Sequence, residues 1–305
     1  MEDPFFATPQ FLKAFTAPLA DILGLKTLPL HIHEVYLAFF GYQLVFATFS
    51  PYLSRRFLPR IYNGLNRSRQ INWDAHVTAL LQCLITIVLS LWVLANDPLR
   101  LHSDWTSRLF AYSGAIGLVQ AHAAGYFLWD LMASIRHYRV LGPGSLAHAV
   151  SALTVTLLGF RPFVNYYGLS FILYELSNPF MNMHWFFDKA GMTASRAQWI
   201  NGVLLMSSFF MVRLVWGNYQ SVLMYTDIWR ALGEPSLAQI LSGRVNTSVK
   251  GMPVHDSVPL WLSYTYVIGN TVLSFLNVFW FRIMVVTIRK RFEQKLPKEE
   301  GKKRS

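Results

Sequence analysis

Four stretches of about twenty residues contain no aspartate, glutamate, lysine or arginine, which is the length that a helix needs to cross a bilayer. They cover residues 35–54, 75–96, 109–129 and 140–160. Three further stretches of similar length are interrupted or ended by a single charge. They are residues 163–187 with Glu175, residues 197–225 with Arg213, and residues 257–281 before Arg282. The sequence therefore predicts an all-α integral membrane protein with about seven transmembrane helices.

The amino-acid composition supports this class of protein. Hydrophobic residues make up 53% of the 305 residues and charged residues only 14%, whereas soluble proteins average about 25% charged residues. The single cysteine, Cys83, excludes an intrachain disulfide framework. No phosphate-binding glycine loop and no metal-ligand motif is evident in the sequence. We therefore expect no metal and no cofactor.

The first 33 residues form a separate N-terminal segment in this interpretation. Apolar residues recur there at helical spacing on one face, which predicts an amphipathic helix lying in the membrane interface. These residues are Phe11, Leu12, Phe15, Leu19, Ile22 and Leu23. The acidic start, Glu2 and Asp3, is unlike a signal peptide. Residues 34–69 would then hold the first transmembrane helix and a basic loop.

Basic residues set the predicted orientation. The net charge is +11, and the basic residues concentrate in alternate loops: residues 55–72, 136–144 and 186–199, and the tail after Ile288. Lysine and arginine mark cytoplasmic loops, so we expect a lumenal N-terminus and a cytoplasmic C-terminus. Because the basic tail directly follows a membrane helix, we interpret it as a topology signal attracted to anionic lipid. We expect no nucleic-acid partner.

Two short signals fit an endoplasmic reticulum membrane protein. Lys302 and Lys303 occupy the fourth and third positions from the C-terminal end, which matches a dilysine retrieval signal read by a coat complex. Asn246 begins an Asn-Thr-Ser glycosylation sequon in a loop predicted to be lumenal. The residues 291–305 would then form a basic cytoplasmic tail.

Polar residues inside the predicted membrane helices fall on single helix faces. Ionisable groups in such positions are costly and usually face the bundle interior or a cavity. The spacings of three, four and seven residues align them in stripes. The predicted lipid- or ligand-binding residues are His122, Tyr126, Asp130, Asn178, Asn182, Arg213 and Gln220, with Glu175, His148, Asn270 and Asn277 on the same kinds of stripe. Convergence of these stripes would create a polar site suited to an amphiphile.

The same residues also admit purely structural interpretations. Glu175 and Arg213 could form an ion pair that fixes helix packing. Asn178 and Asn182 could serve as hydrogen-bond links between helices. Pro179 could kink its helix and free backbone carbonyl groups. The sequence alone leaves open whether Glu175 pairs with His148 or with Arg213.

Four motifs resemble the TLC domain, a family of translocation-associated, longevity-assurance and ceroid-lipofuscinosis membrane proteins. They are GYFLWD at 125–130, HAVSAL at 148–153, YELSNPFMNMHWF at 174–186 and FFMVRLVWGNY at 209–219. The resemblance spans residues 70–290, and its wording is closer to the small transmembrane TLC-domain proteins than to ceramide synthases. It implies six helices in a TLC-type bundle or barrel, in an endoplasmic reticulum protein linked to lipid synthesis, sensing or transport.

The resemblance also implies candidate catalytic residues. Ceramide synthases join a fatty acyl group from acyl-CoA to the amine of a sphingoid base, and their signature has two adjacent histidines and two aspartates. His148 occupies the first histidine position, and Ala149 stands at the second. Glu175 and Asn178 stand where the aspartate pair would be. One histidine and one acid remain, so a non-enzymatic role is favoured.

Three functional hypotheses follow. The first is lipid homeostasis through binding of a lipid or acyl chain at a polar intramembrane site. The second is an N-acyltransferase of the ceramide synthase type, using acyl-CoA as co-substrate, with His148 as base and Glu175 orienting it. The third is a structural or chaperone-like membrane partner without a ligand. The sequence does not identify the lipid or the oligomeric state.

Overall fold

The computed structural model describes residues 1–101, 104–237 and 258–293, and within these ranges all regular secondary structure is helical. Asn246, Lys302 and Lys303 lie outside the described residues. The α-helices are α1 Gln10–Leu23, α2 Leu28–Leu44, α3 Ser50–Phe57, α4 Pro59–Tyr62, α5 Arg67–Asn96, α6 Pro98–Leu101, α7 Trp105–Phe110, α8 Gly114–Arg136, α9 Tyr138–Leu158, α10 Asn165–Ile172, α11 Asn178–Lys189, α12 Arg196–Phe209, α13 Gly217–Leu232 and α14 Leu260–Glu293.

Four helices in the described part of the chain are long and apolar enough to cross a membrane. They are Arg67–Asn96, Tyr138–Leu158, Arg196–Leu232 and Leu260–Arg289. They correspond to the second, fourth, sixth and seventh predicted spans. The other three predicted segments are also largely helical, but residues 35–54 contain a π-helical stretch at Val45–Phe49, residues 109–129 include the non-helical residues 111–113, and the fifth segment is broken. The structure therefore supports an all-helical membrane protein with four such helices.

The broken segment is the one predicted at residues 163–187. α10 ends at Ile172, a 3₁₀ turn covers Leu173–Ser177, and α11 begins at Asn178. Pro179 lies in the first turn of α11, where its missing N–H does no harm and its fixed φ favours helix initiation. The sequence left open whether Pro179 kinks this helix, and in the structure the proline lies where the 3₁₀ turn gives way to α11.

The sixth segment contains a second irregularity. Residues Phe210–Trp216 are π-helical and join α12 to α13 without a gap, and Arg213 lies in the middle of this stretch. A π-helical insertion adds a residue to one turn and rotates the side chains that follow it. Such insertions are frequent at functional sites.

α8 lies at the centre of the bundle, between α2, α5 and α9. Its packing face is made of small residues, with Ala121 and Ala124 fully buried. Gly125 continues this face, and a Cβ there would overlap the Val35 carbonyl and lie 2.6 Å from Ala38 Cβ on α2. Small residues allow the close approach of helix backbones in membrane proteins.

The loops gather at two opposite ends of the bundle. At one end the Met1 amino group lies 3.3 Å from Asp97, and the Thr27 N–H donates to the Phe160 carbonyl at 3.1 Å. At the other end Asp74 accepts hydrogen bonds from Ser50 and Tyr62 at 2.6 and 2.9 Å. The helices therefore run alternately up and down, as alternating membrane crossings require.

α1 leaves a row of large apolar side chains uncovered. Phe11, Phe15 and Ile22 are 71%, 75% and 81% exposed, whereas Ala20 on the opposite face is buried. These exposed residues belong to the apolar face identified from helical spacing. A helix with this distribution has an apolar face available for a membrane interface.

Candidate polar site within the helix bundle

Arg213 is the centre of a polar network that joins three helical segments. Its Nε donates to Ser177 Oγ at 3.1 Å, and its Nη2 donates to the Tyr174 carbonyl at 3.1 Å. Its Nη1 contacts Asn277 Oδ1 on α14 at 3.4 Å. The 3₁₀ turn before α11 is thus held by a guanidinium group that supplies donors to a backbone carbonyl and a hydroxyl.

Asn178 connects Arg213 to Glu175. The Asn178 Oδ1 accepts from Arg213 Nη2 at 3.1 Å, while its Nδ2 donates to Glu175 Oε2 at 2.7 Å. No ion pair joins Glu175 to either Arg213 or His148 among the described residues. The Asn178 amide therefore connects the Glu175 carboxyl group to the Arg213 guanidinium group through two hydrogen bonds. Its carbonyl oxygen and its amino group thus serve two different neighbours.

His122 and Tyr126 on α8 meet Tyr42 on α2. His122 Nε2 lies 2.5 Å from the Tyr42 hydroxyl, and its Nδ1 lies 3.2 Å from Thr86 Oγ1 on α5. Tyr126 packs edge-on against Tyr42, with ring centroids 5.3 Å apart. Both ring nitrogens of His122 thus join α2, α5 and α8. This use of both nitrogens indicates a structural role for His122.

Asp130 and His148 differ from the other polar residues of this region. Asp130 is half-buried, and neither a hydrogen bond nor an ion pair is described for it. The imidazole of His148 is exposed and contacts the edge of Phe127 with centroids 6.0 Å apart. Ser134 Oγ lies 3.0 Å from Ser145 Oγ in the same α8–α9 pair.

These contacts fix the level of His148 relative to Asp130. α8 and α9 are antiparallel, with His148 beside Phe127 and Ser145 beside Ser134. Asp130 follows Phe127 by three residues, so it lies within about one helical turn of His148. An acid and an imidazole at neighbouring levels can together bind a group that carries both donors and acceptors, such as a hydroxyl or an amine.

Asn182 contacts this network through the Asn178 backbone, whose carbonyl accepts from Asn182 Nδ2 at 3.0 Å, whereas Gln220 does not join it in the described contacts. Asn182 Oδ1 accepts from His76 Nδ1 at 2.8 Å, and that imidazole stacks on Trp185 at 4.0 Å. Gln220 is 2% exposed, and its Oε1 has no hydrogen-bond partner. Asn270 accepts from the Tyr225 hydroxyl at 2.7 Å, which joins α13 to α14.

Sequence reasoning missed several members of these networks. Tyr42 lay in a helix treated as separate from the main domain, and Tyr174 and Ser177 were overlooked beside Glu175 although they belong to the same motif. Arg108 was also missed, and it forms a two-pronged ion pair with Asp227 at 2.6 and 2.7 Å. The Asp227 carboxylate raises the pKa of Arg108, which keeps the guanidinium charged. A charge pairing between distant segments leaves no local signal in the sequence.

Comparisons with known proteins identify the family of this chain. A profile of the TLC domain matches residues 72–286. The chain belongs to the TLC domain family. It is 34% identical over 284 residues to an uncharacterized TLC domain-containing protein of Schizosaccharomyces pombe, covering 93% of this chain and 87% of that protein. It therefore aligns with that relative over nearly its whole length.

Two further relatives extend this TLC protein's similarities. Topoisomerase I damage affected protein 4 of Saccharomyces cerevisiae is 27% identical over 266 residues, with 85% of each chain covered. Human TLC domain-containing protein 4 is 26% identical over 247 residues, covering 80% of this chain and 84% of the human one. The resemblance to the small transmembrane TLC-domain proteins is confirmed.

Proposed function

We propose that this TLC-domain protein acts in lipid homeostasis in the endoplasmic reticulum membrane by binding a membrane lipid through the polar site. The polar headgroup would meet Asp130 and His148, and the acyl chain would follow the apolar helix surfaces. The chain would cross the membrane seven times, with a lumenal N-terminus and a cytoplasmic C-terminus. The basic loops and the dilysine pair Lys302 and Lys303 support this location.

The observation that carries the proposal is the contrast between Asp130 and its neighbours. Arg213, Asn178 and His122 have their hydrogen-bonding groups engaged with protein atoms. For Asp130, which is half-buried on α8 in a segment proposed to cross the membrane, no such partner is described. An unpaired acid in such surroundings is expensive and usually functional. A bound headgroup would offset that cost.

Lipid retention by purified protein tests the proposal. The full chain is isolated from membranes in mild detergent, and co-purifying lipids are quantified by mass spectrometry. Asp130→Asn and His148→Phe should each reduce the enriched lipid about tenfold, the effect of losing one hydrogen bond to a charged group. Thr226→Val is the matched control, since Thr226 is exposed and bonds only to its own helix at Val222 O, 2.9 Å.

Equal lipid profiles in the wild type, both variants and the control would contradict the proposal. The same samples distinguish an acyltransferase. Supplied with acyl-CoA and a sphingoid base, an acyltransferase would form ceramide, and His148→Phe would abolish that product. Ceramide formation of this kind would replace lipid binding by catalysis as the function of the site.

A further inference from the structure

A second polar cluster lies near the N-terminus of α2, at the end of that helix opposite Tyr42. His31 Nδ1 lies 3.2 Å from Asp3 Oδ2 and 2.7 Å from Glu34 Oε2. One ligand atom from each of the three residues lies within 4.8 Å of the other two. His31 and Glu34 share a helix face at a spacing of three residues, whereas Asp3 comes from the segment before α1.

Burial makes this cluster costly as it stands. The side chains of His31 and Glu34 are 1% and 3% exposed, and that of Asp3 is 24% exposed. Glu34 Oε1 is buried without a hydrogen-bond partner. His33 Nε2 lies 3.9 Å from that oxygen, too far for a hydrogen bond. Two carboxylates this close together, one of them buried, are stabilised by positive charge between them, which a protonated His31 or a bound cation supplies.

We propose that Asp3, His31 and Glu34 bind a divalent transition-metal ion such as Zn²⁺. One imidazole nitrogen and two carboxylate oxygens form a mixed donor set that Zn²⁺ accepts in proteins. This site is separate from the proposed headgroup site at Asp130 and His148, and it does not depend on the lipid-binding proposal.

The spacing of the donor atoms fits a metal ion. Ligand atoms at 2.0–2.2 Å from a tetrahedral ion lie roughly 3.3 Å from one another. The 3.2 Å between His31 and Asp3 matches this value, and the 2.7 Å between His31 and Glu34 must lengthen by about 0.6 Å. His33 Nε2 lies 3.9 Å from the unpartnered Glu34 oxygen, and its Nδ1 lies 2.8 Å from Thr8 Oγ1.

The surroundings of His31 already orient it as metal-binding histidines are oriented. Its second nitrogen, Nε2, forms a hydrogen bond with the Tyr112 hydroxyl, leaving Nδ1 to face the carboxylates. Such an outer contact fixes the tautomer and direction of a ligating imidazole. Gly117 provides the space for this contact, because a Cβ there would overlap His31 Nε2.

The ion would hold the N-terminal segment against the bundle. Asp3 precedes α1, and its backbone lies so close to Gly114 that a Cβ there would lie 3.0 Å from the Asp3 Cα. The Gly114 N–H also donates to the Met1 carbonyl at 3.0 Å. A metal bound by Asp3, His31 and Glu34 would therefore join this segment to α2 beside the start of α8.

Zinc binding by the full-length chain tests the proposal. The protein is purified in detergent, stripped with a chelator and titrated with Zn²⁺ against a chromophoric competitor. We expect one zinc ion per chain, a higher unfolding midpoint with zinc, and at least tenfold weaker binding for Glu34→Gln and Asp3→Asn. The matched control is Glu2→Gln, an exposed acid beside Asp3, which should bind as the wild type does.

Failure of the wild type to bind zinc would overturn the proposal, and a protonated His31 would then neutralise the carboxylates. Equal zinc affinity in Asp3→Asn, Glu34→Gln and Glu2→Gln would also overturn it, because the ion would then bind elsewhere. If Glu34→Gln does not fold, Asp3→Asn decides the result alone. Its side chain is partly exposed, so its substitution leaves the helix packing intact.

Discussion

At the scale of single residues, Arg213 joins several helical segments through its guanidinium group. It reaches Ser177, the Tyr174 carbonyl, Asn178 and Asn277, and so links the 3₁₀ turn, α11 and α14. Its planar guanidinium can hold several acceptors at fixed angles, which an ammonium group cannot. We therefore assign Arg213 to positioning the broken helix that carries Glu175.

Replacing Arg213 should destabilise the protein. Arg213→Gln leaves the Tyr174 carbonyl and Ser177 without their donor, and we expect a loss of about 3 kcal/mol and a thermal midpoint lower by several degrees. Arg213→Lys should recover only part of this, since it keeps the charge but not the fork. Thermal unfolding in detergent measures both, with exposed Arg196→Gln as control. A fully stable Arg213→Gln protein would show that these contacts contribute little.

At the scale of helices, the spacing of polar residues predicted which side chains share a face. The spacing did not predict how Pro179 affects its helix. His122 and Tyr126 both meet Tyr42, the arrangement that a four-residue spacing produces. The sequence left open whether Pro179 kinks one helix or starts a new one, because a single proline fits both. The donors of Arg213 that stabilise the break come from a distant segment.

The contact between α2 and α8 gives the helix-scale prediction. Gly125→Ala would place a Cβ against the Val35 carbonyl and Ala38 Cβ, so the two helices must separate. Overpacking of this kind costs about 1–3 kcal/mol, and the Tyr42–His122 hydrogen bond should weaken with it.

The matched control is Gly202→Ala on α12, where a Cβ would meet nothing within 4 Å. It should be neutral or slightly stabilising, since alanine favours helices over glycine by up to about 1 kcal/mol. Thermal unfolding of both variants in the same detergent measures the difference. Equal midpoints for the two variants would mean that the close approach at Gly125 is readily relaxed.

At the scale of the whole molecule, the family and the helical class could be predicted from the sequence, whereas the N-terminal cluster could not. Motif order carries the family resemblance, and long apolar stretches carry the helical class. The pairing of Asp3 with His31 and Glu34 joins positions that are distant in sequence. The three-residue spacing of His31 and Glu34 was the local signal available, and it falls before the stretch predicted to enter the membrane.

The orientation of the bundle in the membrane is a property of the whole molecule, and it can be tested by labelling the two ends of the bundle. The native Cys83 is fully buried, so a cysteine introduced elsewhere can be labelled against a low background. Glu2 and Ser68 are exposed, and they lie at opposite ends of the bundle. On sealed microsomes, a membrane-impermeant maleimide should label Ser68→Cys and leave Glu2→Cys unlabelled until detergent opens the vesicles. This follows because the arginines of residues 55–72 favour the cytoplasmic side.

The opposite result would contradict the predicted orientation. Labelling of Glu2→Cys before detergent, with protection of Ser68→Cys, would show that the N-terminus and the Asp3, His31 and Glu34 cluster lie on the cytoplasmic side.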